Sequence, residues 1–207
     1  MKDKTQFLTL LSDLLPEKRL QHSIRVAETA EKLALFWGED PSKAYLAGLL
    51  HDGAKYLNPD TWLERGLPEP SFSRQLYQTY RPVWHAFVAP VLLKHAFGIR
   101  QADVLSAAKW HTTGKAAMAP LDQIIFIADY IEPNRPFKEC PYIRDLAHKN
   151  LDQATYALSV ASILTLIHTG SLIHKETLLC RDYYLKSLPK DCVLEVASSI
   201  VSIQNTQ

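Results

Sequence analysis

The chain has 207 residues, with 23 basic and 22 acidic side chains and a formal net charge of +1. That length suits one domain able to bury a core without disulfides or structural metal, and so even a charge, with no long run of Lys and Arg, excludes polymeric nucleic acid as the main partner. Cys140, Cys180 and Cys192 lack CxxC spacing, which argues against a disulfide framework or a thiolate metal site and for a reducing cytoplasm.

At the amino terminus, residues 1–19 carry charges on both sides of a short amphipathic run, unlike a secretory signal, and no apolar stretch approaches transmembrane length. A soluble, cytoplasmic protein with no membrane partner is expected. Apolar positions recur at three- and four-residue spacing, whereas period-two runs rich in Val, Ile and Thr are scarce, so the expected fold class is all-α, a compact helical bundle. Residues 17–37 put Leu20, Ile24, Ala27, Leu33 and Trp37 on one stripe, closed by Gly38. Pro41 opens a second helix at the first-turn position proline favours, and Tyr45, Leu46, Leu49 and Leu50 bury it up to Gly53, with His51 and Asp52 near its end. Between Leu57 and Pro82, the prolines and glycine at Pro59, Gly66, Pro68 and Pro70 predict short helices and loops, which could form a lid. Helices resume over 83–97, 101–110 and 121–131, the last stopped by Pro133. One long helix over 143–168 and two more over 175–188 and 191–203 complete a single expected domain spanning residues 1–207.

His22, His51, Asp52, His85, His111 and Asp129 follow one another as H…HD…H…H…D, and each is a competent ligand for a transition metal. One catalytic ion takes three or four protein ligands and keeps a position open, so six are too many for a single ion. Two ions bridged by one carboxylate would use them all, and such a pair can activate water and hold both the attacking and the leaving oxygens of a phosphate. Hydrolysis of a phosphoester or phosphoanhydride is the expected chemistry. Asp129 interrupts the apolar run Ile124–Ala128, where a carboxylate is costly to bury unless it is paired or bound to metal. His111 opens the polar turn HTTGK after Trp110, a better place for chemistry than for packing. Asp52 and Asp129 are the catalytic candidates, either of which could accept the proton of the attacking water. The remaining histidines, His95, His148, His168 and His174, do not extend the ordered series. The ligand set suits iron, manganese, cobalt, nickel or zinc alike.

The strings HSIRVAETAEKLA, LAGLLHDGAKYL, VWHAFVAPVL, KWHTTGKAAMAPLDQIIFIADYIEPNR and IHKETL resemble the bacterial symmetrical bis(5′-nucleosyl)-tetraphosphatases of the HD-domain superfamily. The HD pair is common to many phosphohydrolases, and HTTG followed by IFIADYIEPNR is the more specific part. The resemblance implies a helical bundle of HD-domain type, a homodimer, a di-iron centre and cleavage of diadenosine tetraphosphate at its middle into two ADP. It also implies acceptance of related dinucleoside polyphosphates, with ADP or GDP as the kind of product. It would put His22, His51, Asp52 and Asp129 on one ion, with Asp52 bridging to a second held by His85 and His111. Arg19, Lys55, Thr112 and Arg135 would contact nucleotide or phosphate, and the segment around His174 and Thr177 would border the base. Read from the residues alone, the basic ones suit a solvated surface equally well, and Thr177 suits a helix cap. Three positions depart from the pattern: Gly53 after the HD pair, Lys115 in HTTGK, and Asp182, of which Lys115 and Asp182 are left outside the expected site. Rival readings are a generic HD nucleotidase or cyclic-nucleotide phosphodiesterase, or a nucleotide sensor that binds metal without turnover.

Overall fold

The computed structural model describes residues 4–205, so Met1–Asp3 at the head of the charged amino-terminal run and Thr206–Gln207 lie outside the described residues. The helices are α1 (Lys4–Ser12), α2 (Glu17–Trp37), α3 (Pro41–Leu50), α4 (Pro59–Glu64), α5 (Ser73–Leu92), α6 (Ala102–Trp110), α7 (Pro120–Ile131), α8 (Cys140–Ala147), α9 (Leu151–His168), α10 (Lys175–Ser187) and α11 (Lys190–Asn205). The described residues contain no strand, and the fold is all-α as the spacing predicts. None of these helices is long and apolar enough to cross a membrane.

The bundle is organised around α7. Its residues Leu121–Ala128 are all buried, and a helix buried on every side belongs at the centre of a bundle. It packs against α2, α3, α6, α8 and α9. Beside it, α2 and α3 meet through small residues: Ala27, Ala30 and Ala34 on one, Ala44, Ala47 and Gly48 on the other, all buried. The two backbones come so close that a Cβ placed on Gly48 would stand 2.8 Å from Ala27 Cα. That approach carries the end of α3, and with it His51 and Asp52, towards α7.

The region read as short helices and loops up to Pro82 holds α4 and the first arm of α5, which breaks at Tyr80; the second arm runs to Leu92 and is followed by a π-helical turn over Leu93–Phe97, close to the helix expected over 83–97. Pro82 lacks an amide hydrogen and its ring crowds the preceding turn, and the backbone yields at Tyr80, with φ −133° and ψ 53°. Trp84 ties the two arms together across this kink. The indole donates to Ser73 Oγ at 3.0 Å and meets Tyr77 and Trp62 edge-on, with ring centroids 5.4 and 5.7 Å away.

The single helix expected over 143–168 is two, α8 and α9, separated at His148–Asn150. The Asn150 side chain accepts from the Gln153 amide at 3.0 Å and caps α9, and the Trp37 indole donates to the freed Ala147 carbonyl at 2.8 Å.

Gly48→Ala should destabilise the protein by about 1–3 kcal/mol, because the added methyl meets backbone rather than a yielding side chain. Urea denaturation of the metal-free protein measures this. A gain in stability, as helix propensity alone would give, would show that the α2–α3 approach has slack.

Candidate metal centre

The six ligand-type residues come from five helices. His22 lies on α2, His85 on α5 and Asp129 on α7, while His51 and His111 cap the C-terminal ends of α3 and α6 and Asp52 follows directly. Except for Asp129, whose side chain is 21% exposed, all are buried. His51 Nδ1 lies 2.6 Å from the Gly48 carbonyl and His111 Nδ1 2.8 Å from that of Ala108. A carbonyl only accepts, so in both rings Nδ1–H donates backwards into its own helix and Nε2 is left as the free lone pair. Each bond also satisfies a carbonyl that the helix end leaves without a partner.

The Nε2 atoms converge on the two carboxylates. His22 Nε2 stands 3.0 Å from Asp129 Oδ1, and His51 Nε2 3.7 Å from the same oxygen. Asp52 lies between two groups of rings. Its Oδ2 faces His51 Nε2 at 3.4 Å and Arg19 Nη1 at 3.0 Å, while Oδ1 faces His85 Nε2 at 3.1 Å, His111 Nε2 at 3.5 Å and Lys55 Nζ at 3.7 Å. Donor atoms of His22, His51 and Asp129 lie within 4.8 Å of one another, as do those of His51, Asp52 and His111. His51 thus belongs to both groups. His85 joins the second through His111 Nε2, 3.1 Å from its own Nε2.

Burial opposes the charge on both acids, yet their carboxyls sit well below the usual carboxylate range: the fields of His51 and Lys55 outweigh burial at Asp52, and His22, His51 and Arg135 outweigh it at Asp129. Burial, reinforced by the nearby Lys55 ammonium, pushes His85 down to about 3, so its imidazole is neutral and able to ligate. Burial likewise lowers His111.

This donor set fits divalent metal. His51 Nε2 and Asp52 Oδ1 are buried at its centre without a hydrogen-bond partner, which is rare for interior polar atoms. A cation among these Nε2 and carboxylate oxygens satisfies both.

The remaining expected contacts fall in two places. Arg19 binds Asp52, Arg135 binds Asp129, Lys55 Nζ lies 3.1 Å from His85 Nε2, and Thr112 Oγ1 is 2.9 Å from His111 Nε2. His174 and Thr177 lie on a separate cavity of about 530 Å³, which Thr112 connects to the cluster. Thr177 does not cap α10. His174 does, its Nδ1 accepting from the Glu176 amide at 3.3 Å. Lys115 and Asp182, left outside the site, have other partners: Lys115 pairs at 3.1 Å with buried Asp122, and Asp182 pairs with Arg181. The HTTG turn is seated by Gly114, which has φ +62° and rests on Cys180, where a Cβ would come within 2.6 Å of Sγ.

The family model of the HD domain matches residues 19–134. The chain belongs to the HD-domain family. Its HD domain runs from Arg19, one turn before His22, to Asn134, and so contains all six ligand-type residues. Over 177 residues, 84% of this chain and 91% of the relative, it is 38% identical to a protein of Staphylococcus aureus named "Bis(5'-nucleosyl)-tetraphosphatase, symmetrical". A Bacillus subtilis protein of the same name is 30% identical, with 86% and 95% of the two chains covered. Among solved structures, a predicted HD superfamily hydrolase involved in NAD metabolism from Clostridium acetobutylicum superposes with a TM-score of 0.80 at 33% identity, covering 91% of this chain and all of that one.

One residue of this HD domain escaped the sequence reading. Glu132, three residues after Asp129 and 3% exposed, has Oε1 3.1 Å from His22 Nδ1 and accepts from Arg25 Nε at 2.7 Å. It therefore orients His22 as the Gly48 and Ala108 carbonyls orient His51 and His111. Burial works against its charge, but Arg25 and the Asn134 amide hold the carboxyl below its usual range. A signal was present: an acid at a helix C-terminus opposes the macrodipole and needs a reason to be there. Glu132→Ala should weaken metal binding by roughly 10–100-fold with helicity retained. Titration against a competing chelator measures it, and an unchanged affinity would mean that Glu132 does not orient His22.

Proposed function

We propose that the protein hydrolyses diadenosine tetraphosphate, and related dinucleoside polyphosphates, at the middle of the phosphate chain to give two nucleoside diphosphates. The observation that carries this reading is the placement of Asp52, whose two oxygens face different histidine groups as a bridging carboxylate requires. The names of the Staphylococcus and Bacillus relatives support it. In this reading His22, His51, Asp52 and Asp129 hold one divalent transition metal and Asp52, His85 and His111 a second, iron before manganese, cobalt, nickel or zinc. When bound, the pair would supply water activation and charge neutralisation on the phosphoryl oxygens.

The chain's own residues do the rest. Arg19, Lys55 and Arg135 neutralise the polyphosphate and fix it beside the cluster. Thr112 donates to a phosphate oxygen, and one nucleoside enters the cavity of about 530 Å³ that Thr112, Tyr80, Phe137, His174 and Thr177 line. Asp129, the more exposed of the two acids and held ionised, accepts the proton of the attacking water. A nucleoside diphosphate is already a good leaving group, so no dedicated acid is needed. We take residues 1–207 as one catalytic domain acting as a homodimer in the cytoplasm.

Purified anaerobically and reconstituted, the protein should hold two metal ions per chain, and fewer than two would remove the bridged centre. Radiolabelled diadenosine tetraphosphate should yield ADP alone. AMP with ATP, cleavage of cyclic nucleotides or monophosphates instead, or stoichiometric binding without turnover would each replace this reading with one of its rivals. Asp52→Ala should abolish turnover while leaving the helical circular dichroism intact, and retained activity would refute its bridging role.

A further inference from the structure

The loop from His111 to Ala119 brings two groups to the second ion position and holds a backbone conformation that chains avoid. His111 Nε2 stands 3.5 Å from Asp52 Oδ1, and Thr112 Oγ1 lies 2.9 Å from that nitrogen and 3.4 Å from His85 Nε2. Beyond them the chain enters the left-handed region twice, at Gly114 with φ +62° and at Ala117 with φ +49°, and Ala117 is the one non-glycine residue with positive φ among the described residues. A residue with a Cβ keeps such a conformation only where its surroundings dictate it. The bond from His111 Nδ1 to the Ala108 carbonyl sets the tautomer, but His111 is the cap of α6, and helix ends fray unless the chain that follows is held.

What holds it comes largely from α10, which lies beyond the residues matched to the HD domain. Cys180 and Tyr184, one turn apart on that helix, are both buried against the loop. The Tyr184 hydroxyl accepts from the Met118 amide at 3.1 Å, immediately after the strained Ala117. Cys180 lies so close under Gly114 that a Cβ there would stand 2.6 Å from its Sγ and 3.2 Å from its own Cβ. Burial pushes the Tyr184 phenol up and the Cys180 thiol up to about 12, so both stay neutral and serve as packing and hydrogen-bonding groups, not nucleophiles. From the other side, buried Asp122 of α7 pairs with Lys115 and accepts from the Ala119 amide at 3.4 Å. The first ion position has no such dependence, since His22, His51 and Asp129 come from α2, the end of α3 and α7. We infer that Tyr184, backed by Cys180, is a positioning residue for the second metal ion: it holds the strained loop so that the His111 imidazole and the Thr112 hydroxyl stay turned to the position shared with Asp52 and His85. This rests on the two-ion reading above. Loosening the clamp therefore weakens one ion and spares the other.

The test titrates the metal-free full chain with manganese(II) by calorimetry, in wild type, Tyr184→Phe and Cys180→Ala, with His111→Ala marking which site is the second. Tyr184→Phe removes only the hydroxyl, and Cys180→Ala removes the atom under Gly114 without adding bulk. The expected result is two ions on the wild type and, in Tyr184→Phe, a second-site affinity lower by about tenfold or more with the first within about twofold. Cys180→Ala should weaken the same site, and amide exchange across residues 111–119 of the metal-free variants should quicken. Two unchanged affinities, or two lowered by the same factor, would overturn the positioning role while the bridged centre stands, because a merely structural contact has no reason to choose between the ions. Fewer than two ions on the wild type would overturn the two-ion reading and this inference with it.

Discussion

A carboxylate taken fully out of water is tolerated only where opposing charge and donors surround it, and Asp52 is such a group. Arg19 faces one of its oxygens and Lys55 the other, and three imidazoles approach it within 3.1–3.5 Å. Even so, one of its oxygens and the facing nitrogen of His51 have no hydrogen-bond partner. Both are atoms that a metal ion can coordinate, so the protein fold leaves a deficit of partners at its own centre. Folding and metal binding are therefore coupled here: a cation that binds this cluster and not the unfolded chain stabilises the bundle as it completes the site.

The rest of the architecture keeps that deficit in place. Burying α7 on every side fixes Asp129 at the end of the most apolar segment of the chain, and the small-residue seam between α2 and α3 lets His22 and His51 approach each other, with ring centroids 5.5 Å apart. The helix ends serve as fixtures. A histidine at the last turn of α3 and of α6 spends Nδ1 on its own helix and turns Nε2 inward, and Glu132 does the same for the mid-helix His22. Cations that elsewhere would be mobile surface groups are held by the acids they neutralise. Arg19 lies on Asp52 and Arg135 on Asp129.

Much of this was legible in the residues. Periodicity located α2 because an amphipathic stripe and a glycine after it agree. The six residues of the ordered string of histidines and acids lie side by side in the structure, although only His51, Asp52, His111 and Asp129 stand near a helix end. What sequence could not show was where local signals yield to packing. Pro82 reads as a breaker and the backbone does kink beside it, at Tyr80, but the Trp84 contacts that hold the two arms together are not visible in the sequence. The apolar period from 143 to 168 reads as continuous, yet Asn150 caps a new helix. Glu132 was missed because its partners, His22 and Arg25, lie more than a hundred positions away in the chain. The cavity of about 530 Å³ was invisible for the same reason, since its walls are assembled from α5, the turn after α6, α7 and the loop after it, α9 and α10.

The central claim is that one buried carboxylate joins two metal positions, and anomalous diffraction from crystals of the reconstituted protein tests it most directly. The account predicts two peaks about 3.5–4 Å apart, with one oxygen of Asp52 towards each and His85 and His111 on the second. A single peak, or two peaks with both oxygens of Asp52 on the same one, would contradict it.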